Sequence, residues 1–388
     1  YIMRKKFTSV AMVLCLSLVF GACGNKPQTD NPTTNQSNTV KDAQQYKLDV
    51  LRPTAYSSVE GLNLEPGSCI SIIGRYAGDS FWKEVEAGAK KAVEDMNTLL
   101  GYKGNDKIKL TYSAPEVRDD INEQVSLLDE ELDRYPSAVA IATIDATACS
   151  IQFDLATENN IPIITFDSGN DYQHIAAHVS TDNLEAAKTA AAKLAHSIEE
   201  KGEVAVFVQD SVSTTAKQRL QGFTDVIAAN FPEISVVNVY YMDQLESMAT
   251  TIVEEKNASI TDEEDKIKPE SISQEDVVEY ILEQHPNLKG VYTTNLDTTQ
   301  LVVEVLDDMD KEDLKIVGFD GGKEQIELLE DGIVEGLVVQ NHIGMGYAAV
   351  VAAARVSLGL ANESFVNTGY TWVTKENLKQ EEIKSMLY

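Results

Sequence analysis

From Cys69 to the end of the chain, short β-favouring apolar runs alternate with longer amphipathic stretches, and this alternation limits the possible folds more than any other feature. The first cycle is Cys69-Ile70-Ser71-Ile72-Ile73-Gly74, then a helical stretch from about Phe81 to Leu100. That stretch places Val85, Ala89, Ala92, Val93, Met96 and Leu100 on one face at helical spacing. Further strands are expected near 107–112, 138–143, 161–166 and 175–180, with helices between them. Runs such as Ala138-Val139-Ala140-Ile141-Ala142 and Pro162-Ile163-Ile164-Thr165-Phe166 are apolar at nearly every position. Strands buried on both faces read this way, so the sheet is expected to be parallel and covered by helices. The cycle then restarts, with strands near 203–208, 234–240, 289–293, 314–319 and 335–339. Helices accompany them near 183–200, 214–230, 275–285, 297–308 and 344–360. Two such sets imply an α/β protein of two similar lobes. Ligands of such sheets bind beyond the carboxyl ends of the strands, which for facing lobes is a cleft.

Two segments fall outside the cycle. Tyr46 to Pro66 carries Leu48, Val50, Leu51, Tyr56 and Leu62 and is expected to pack against the first lobe. Met248 to Gln274 is charge-rich and reads as a solvated insertion on the second lobe.

The N-terminus has its own signature. Met3-Arg4-Lys5-Lys6 is a short basic region, and Val10 to Phe20 is an apolar run about half as long as a membrane-spanning helix. Phe20-Gly21-Ala22 then places small residues before Cys23. This pattern indicates a cleaved secretory signal over 1–22 and resembles a bacterial lipobox, which implies that the Cys23 thiol is acylated. An ordinary signal peptide cut elsewhere is the alternative. Residues 23–45 are rich in Asn, Thr, Gln, Ser, Asp and Pro and read as a disordered tether with a reach of roughly 25 Å. The body is therefore expected outside the cytoplasm, held to the bacterial membrane by a lipid anchor only.

Charge and cysteine content narrow the function. The net charge is −30, and the leader removes only positive groups, so nucleic acid is disfavoured as a partner. Cys69 starts one expected strand and Cys149 lies past the far end of another, too far apart for a disulfide. Both are expected to be free, buried thiols.

No catalytic motif emerges, and no cofactor is implied. His174 and His178 are four residues apart but lie in an expected loop and strand, so their side chains would not converge on a metal. Gly322-Lys323 lacks the first glycine of a phosphate loop, since Val317 stands there. Asp307-Asp308-Met309-Asp310 lacks the spacing of a calcium loop.

Polar and aromatic residues do gather where the strands end. Asp79, Phe81 and Trp82 follow the first strand. Asp167 and Ser168 follow Ile163-Ile164-Thr165-Phe166. Arg219 opens Arg219-Leu220-Gln221-Gly222-Phe223, and Asn295 ends Gly290-Val291-Tyr292-Thr293-Thr294-Asn295. Phe319 and Asp320 lie in Ile316-Val317-Gly318-Phe319-Asp320-Gly321, and Gln340 ends Leu337-Val338-Val339-Gln340.

In this order and spacing the set resembles the ribose/galactose-type periplasmic sugar-binding proteins, the type I substrate-binding proteins of ABC importers. The resemblance covers about residues 68–374 apart from the insertion. It implies two Rossmann-like lobes joined by three crossing strands, near Thr181, Asn341 and Tyr370. The N-terminal lobe would be 46–181 plus 341–370, and the C-terminal lobe 182–340 plus 371–388. It also implies ligand roles. Phe81 and Trp82 would stack on sugar faces, with Phe319 as a cleft wall. Asp167 and Asp320 would accept from hydroxyls, Arg219 would donate, and Asn295 and Gln340 would do both. Asp79 and Thr143 stand where ribose binders have Asn, and Ser168 replaces an arginine that grips ribose. These departures point away from ribose itself.

The chemistry of a sugar suits this set independently, because aromatic rings cover its C–H faces while Asp, Asn, Gln and Arg satisfy its polar edges. Each residue also has a plainer role open to it: Phe81 or Trp82 as core, Arg219 as a helix-end residue, Asp320 as a turn and Asn295 as an N-cap. Thr143 and Ser168 are equally open to both readings. The expectation is a monomeric, non-enzymatic receptor that hands a monosaccharide or sugar-like molecule to an ABC permease. A receptor presenting the same ligand to a membrane kinase or chemoreceptor is the alternative. A hydrolase would have only Asp167 and Asp320 as its carboxylate pair, and a sugar-responsive repressor would need a DNA-binding helix pair where the tether stands.

Overall fold

The computed structural model describes residues 45–262, 265–309 and 313–388. The expected leader, Cys23 and residues 23–44 of the expected tether lie outside the described residues, while Gln45, its last residue, is helical. The first sheet is built from β1 (Cys69–Ile73), β2 (Lys109–Ser113), β3 (Ala138–Ile141), β4 (Ile163–Phe166), β5 (His178–Ser180) and β11 (Phe365–Asn367), in the order β2-β1-β3-β4-β5-β11. The second is built from β6 (Gly202–Val208), β7 (Ile234–Tyr241), β8 (Leu288–Thr293), β9 (Lys315–Phe319), β10 (Gly336–Gln340) and β12 (Tyr370–Val373), in the order β7-β6-β8-β9-β10-β12. All pairings are parallel except β10 with β12. Each sheet reverses its winding beside its first strand, which opens a crevice at the carboxyl ends of β1 and β3, and again of β6 and β8.

Helices cover both sheets. The first lobe carries α1 (Ser80–Leu100), α2 (Ile121–Leu132) and α3 (Ser150–Glu158). The second carries α4 (Asn183–Ser197), α5 (Thr214–Asn230), α6 (Leu245–Asn257), α7 (Gln274–Gln284), α8 (Leu296–Asp308) and α9 (Lys323–Asp331). α10 (His342–Ser357) returns to the first lobe and lies against α1. The two helices touch through glycines: a Cβ on Gly346 would stand 1.9 Å from the Val85 carbonyl, and one on Gly88 would stand 2.1 Å from that of Ile343. The strands are buried because the runs are apolar throughout; β3 and β4 have no exposed position.

The chain passes between the sheets three times, between Ser180 and Asn183, between Gln340 and His342, and between Asn367 and Tyr370. These crossings are tied together. The Thr181 hydroxyl donates to Gln340 Oε1 at 2.9 Å, and Asn341 Nδ2 donates to the carbonyls of Lys47 and Thr368 at 2.6 and 2.9 Å.

Leu48, Leu51, Tyr56, Val59, Leu62 and Leu64 share the core of the first sheet, so the segment before β1 packs on the first lobe as expected. The reading of 248–274 as solvated needs correction. Its first part belongs to α6, whose Leu245, Ala249, Ile252 and Val253 are buried against the second sheet's core. Within that helix Glu254, Glu255 and Lys256 are exposed on the opposite side. Cys69 and Cys149 are both free, but only Cys149 is buried, while Cys69 is half-buried at the start of β1. Among the described residues no helix is long and apolar enough to cross a membrane.

Candidate functional site

The carboxyl ends of the two sheets face each other across a cleft with a cavity volume of about 80 Å³. Eight of the residues picked out by the strand-end pattern line it: Asp79, Phe81, Trp82, Asp167, Arg219, Asn295, Asp320 and Gln340. Phe81 and Trp82 open α1, whose N-cap is Asp79; its carboxylate accepts from the Trp82 backbone at 3.0 Å. The two rings meet edge to face with centroids 5.1 Å apart. Trp82 leans on Phe166 of β4, so the aromatic wall is anchored in the sheet.

Asp167 and Asp320 each follow the last residue of a strand, and both have left-handed backbone (φ 54° and 76°). That turn aims their carboxyl groups into the cleft. Asp320 is held firmly, accepting from Gln340 Nε2 at 2.8 Å and from the Leu296 N–H at 3.0 Å. Asp167 is buried, yet its carboxylate accepts no hydrogen bond from any described residue. Burial therefore pushes it up to about 6, against the pull of Arg75 and Arg219, and the nearby Asp320 adds to the rise. Burial likewise raises Asp320, opposed first by Arg219.

Arg219 is buried on α5. Its Nε donates to Asn183 Oδ1 at 2.8 Å, its Nη1 donates to the Thr294 carbonyl at 2.7 Å, and its plane lies 4.3 Å from the Phe319 ring centre. Phe319 is thus the support beneath Arg219 and does not itself reach the cavity. Asn295 both lines the cleft and caps α8, accepting from the Thr298 N–H at 3.0 Å.

Thr143 and Ser168 also stand back from the cavity. The Thr143 hydroxyl donates to the Gly169 carbonyl, and the Ser168 hydroxyl lies 3.2 Å from that of Thr214 on the opposite lobe. Their small side chains are committed to holding the 168–169 turn and its contact across the cleft.

Several lining residues were not picked out from the sequence. Arg75 pairs with Asp119 at 2.9 Å and with Asp210 of the other lobe at 3.4 Å. Arg118 pairs with Asp79 at 3.2 Å and with Asp297 of the other lobe at 2.9 Å, and covers Tyr76 at 4.2 Å. Gln209 and Asp210 follow β6, so the same strand-end rule reaches them and Arg75. Tyr388 is different: its ring lies 5.8 Å from Phe81 and 4.7 Å from His342, and nothing in the periodicity announces it.

Two α/β lobes, three crossings and a polar, aromatic-walled cleft at the strand ends define a type I periplasmic binding protein. The chain belongs to the periplasmic binding protein domain family, whose profile matches residues 70–361. It is 21% identical to the ribose import binding protein RbsB of Escherichia coli, over 79% of this chain and 90% of that one. It is 24% identical to the D-apiose import binding protein of Actinobacillus succinogenes, over 80% and 85% of the two chains. A carbohydrate transporter solute-binding protein from Agrobacterium radiobacter, solved in complex with D-arabinose, superposes with a TM-score of 0.68 at 27% identity, over 83% of this chain and 99% of that one.

Proposed function

We propose that this chain is an extracytoplasmic lipoprotein that captures one monosaccharide or sugar-like molecule between its lobes and delivers it to an ABC permease. In this reading the lobes are 46–181 with 341–370 and 182–340 with 371–388, and Cys23 bears the lipid. The observation that carries the ligand class is Asp167, a buried acceptor with no donor among the described residues, set in one cavity with the Phe81–Trp82 wall. A ligand offering hydroxyl donors at its edge and C–H bonds on its face satisfies both. The resemblance and the relatives' named ligands support the same class.

A thermal-shift screen of pentoses, hexoses, polyols and furanosyl compounds tests this reading. At least one monosaccharide should raise the melting temperature, and calorimetry should then give one site per chain. A panel with no binder would overturn it. Uptake of the labelled ligand should be lost in a strain lacking the gene; undiminished uptake would instead favour presentation to a membrane sensor. Substituting Cys23→Ala should abolish incorporation of labelled palmitate.

A further inference from the structure

The charges of the cleft do not balance. Its wall carries six aspartates and three arginines. Every arginine is already faced by carboxylates. Arg75 lies between Asp119 and Asp210, and Arg118 between Asp79 and Asp297. Arg219 has its Nε and Nη1 donors on Asn183 and Thr294, and it bears electrostatically on Asp167 and Asp320. A ligand carboxylate or phosphate would compete with these aspartates for the arginines and add to the negative excess of the wall.

The negative excess has a definite address. Asp320 accepts from Gln340 and Leu296, and Asp210 accepts from the N–H groups of Val212 and Ser213 and the Ser213 hydroxyl, as well as pairing with Arg75. Asp167 has no such donors, although 94% of its surface is buried (6% exposed) and it lines the cavity. The Trp82 ring lines the same cavity, and an aromatic face attracts cations.

We propose that the occupant is a cationic sugar, an amino sugar or aminocyclitol whose ammonium group donates to Asp167; this rests on the sugar-binding reading above. An ammonium group brings three donors and the missing positive charge to one acceptor. Its hydroxyls remain for Arg219, Asn295 and the Asp320–Gln340 pair. The burial that raises Asp167 is then offset by the ligand's own charge. Acidic sugars are excluded by the same carboxylates.

Calorimetry at pH 7.5 with matched triplets tests this: glucosamine, glucose and glucuronate; galactosamine, galactose and galacturonate; mannosamine, mannose and mannuronate; with free pentoses and their amino derivatives alongside. The amine member of the best triplet should bind about tenfold more tightly than its hydroxyl parent, and the carboxylate member should not bind. Asp167→Asn should weaken the amine more than its hydroxyl parent, so that the preference between the two is erased. A neutral parent that binds as tightly as its amine, any binding of a carboxylate member, or an amine preference that survives Asp167→Asn would overturn the proposal and leave the sugar-binding reading standing. A panel in which no member binds would overturn both.

Discussion

Asp167 and Asp320 occupy equivalent places in the two lobes, each one residue past a central strand and each in left-handed backbone. Aspartate tolerates that region better than most residues, at a cost of about 1 kcal/mol, and the turn directs the carboxyl group off the strand end. The two differ in what receives them. Asp320 is braced by Gln340 and Leu296, so it can fix a ligand group in direction. Asp167 is unbraced and raised to about 6 by burial, so the folded chain holds a proton there between about pH 4 and 6 that the unfolded chain has released. Its contribution to stability is therefore greatest in acid and is lost as pH rises through about 6. Ligand binding reverses this preference, because a donor or cation favours the carboxylate. Binding near pH 5.5 should release protons, visible as a dependence of the calorimetric heat on buffer ionisation enthalpy, and affinity should weaken below about pH 6. Asp167→Asn should remove both effects. Trp82→Ala or Asp320→Ala should abolish measurable binding with circular dichroism unchanged. Wild-type affinity in both variants would contradict the assignment of the cleft. Strand-end aspartates, arginine and amides were legible because parallel sheets present their ligands there. Tyr388 was not, because its place depends on the Gly321 backbone, whose carbonyl accepts from the Tyr388 N–H at 3.3 Å, far away in sequence.

The elements were readable where burial is complete and blurred where it is one-sided. β3 and β4 announce themselves by unbroken apolar runs. α6 hides its stripe of Leu245, Ala249, Ile252 and Val253 among Glu246, Glu254, Glu255 and Lys256. The spacing of the stripe is helical, but composition outweighs it when the segment is judged as a whole. The pairing of α1 with α10 was also unreadable, since it depends on what Gly88 and Gly346 leave out. Gly346→Ala should cost at least about 2 kcal/mol, seen as a lower urea midpoint, because the new methyl meets backbone that has nowhere to move. At the start of α10, His342 is buried, with Nδ1 3.2 Å from the Gln340 carbonyl and Lys47 nearby. Desolvation first and Lys47 second lower it to about 3, so the folded protein keeps it neutral. The unfolded chain takes up a proton below about 6.5, and stability is lost as pH falls from there towards about 3. His178, lowered by burial to about 4, acts in the same direction. His342→Gln should flatten the fall of melting temperature between pH 6.5 and 4.

At the scale of the molecule, the lobes are closed on each other. Arg75 with Asp210 and Arg118 with Asp297 bridge the cleft, and the Gly169 N–H donates to the Thr214 hydroxyl at 2.7 Å. The Arg118 bridge is partly exposed on both sides and is worth about 0.2–1 kcal/mol. Arg118→Gln should therefore raise the ligand Kd by no more than about fivefold, with a small increase in the radius of gyration of the liganded protein in X-ray scattering. A loss of a hundredfold would mean that Arg118 grips the ligand itself. Closure of this kind, by rotation about a few crossing residues, is the usual motion of two-lobed binding proteins.

Gln340 belongs at once to the cavity wall and to a crossing segment. Its amide nitrogen holds Asp320, and its oxygen receives the Thr181 hydroxyl from another crossing. One side chain thus joins the cavity wall to the crossing segments. A compound that fills the aromatic side of the cleft without engaging Asp320 would sit in the pocket and leave that link undisturbed. Such a compound would be an antagonist: bound, yet unable to produce the shape that a downstream partner reads.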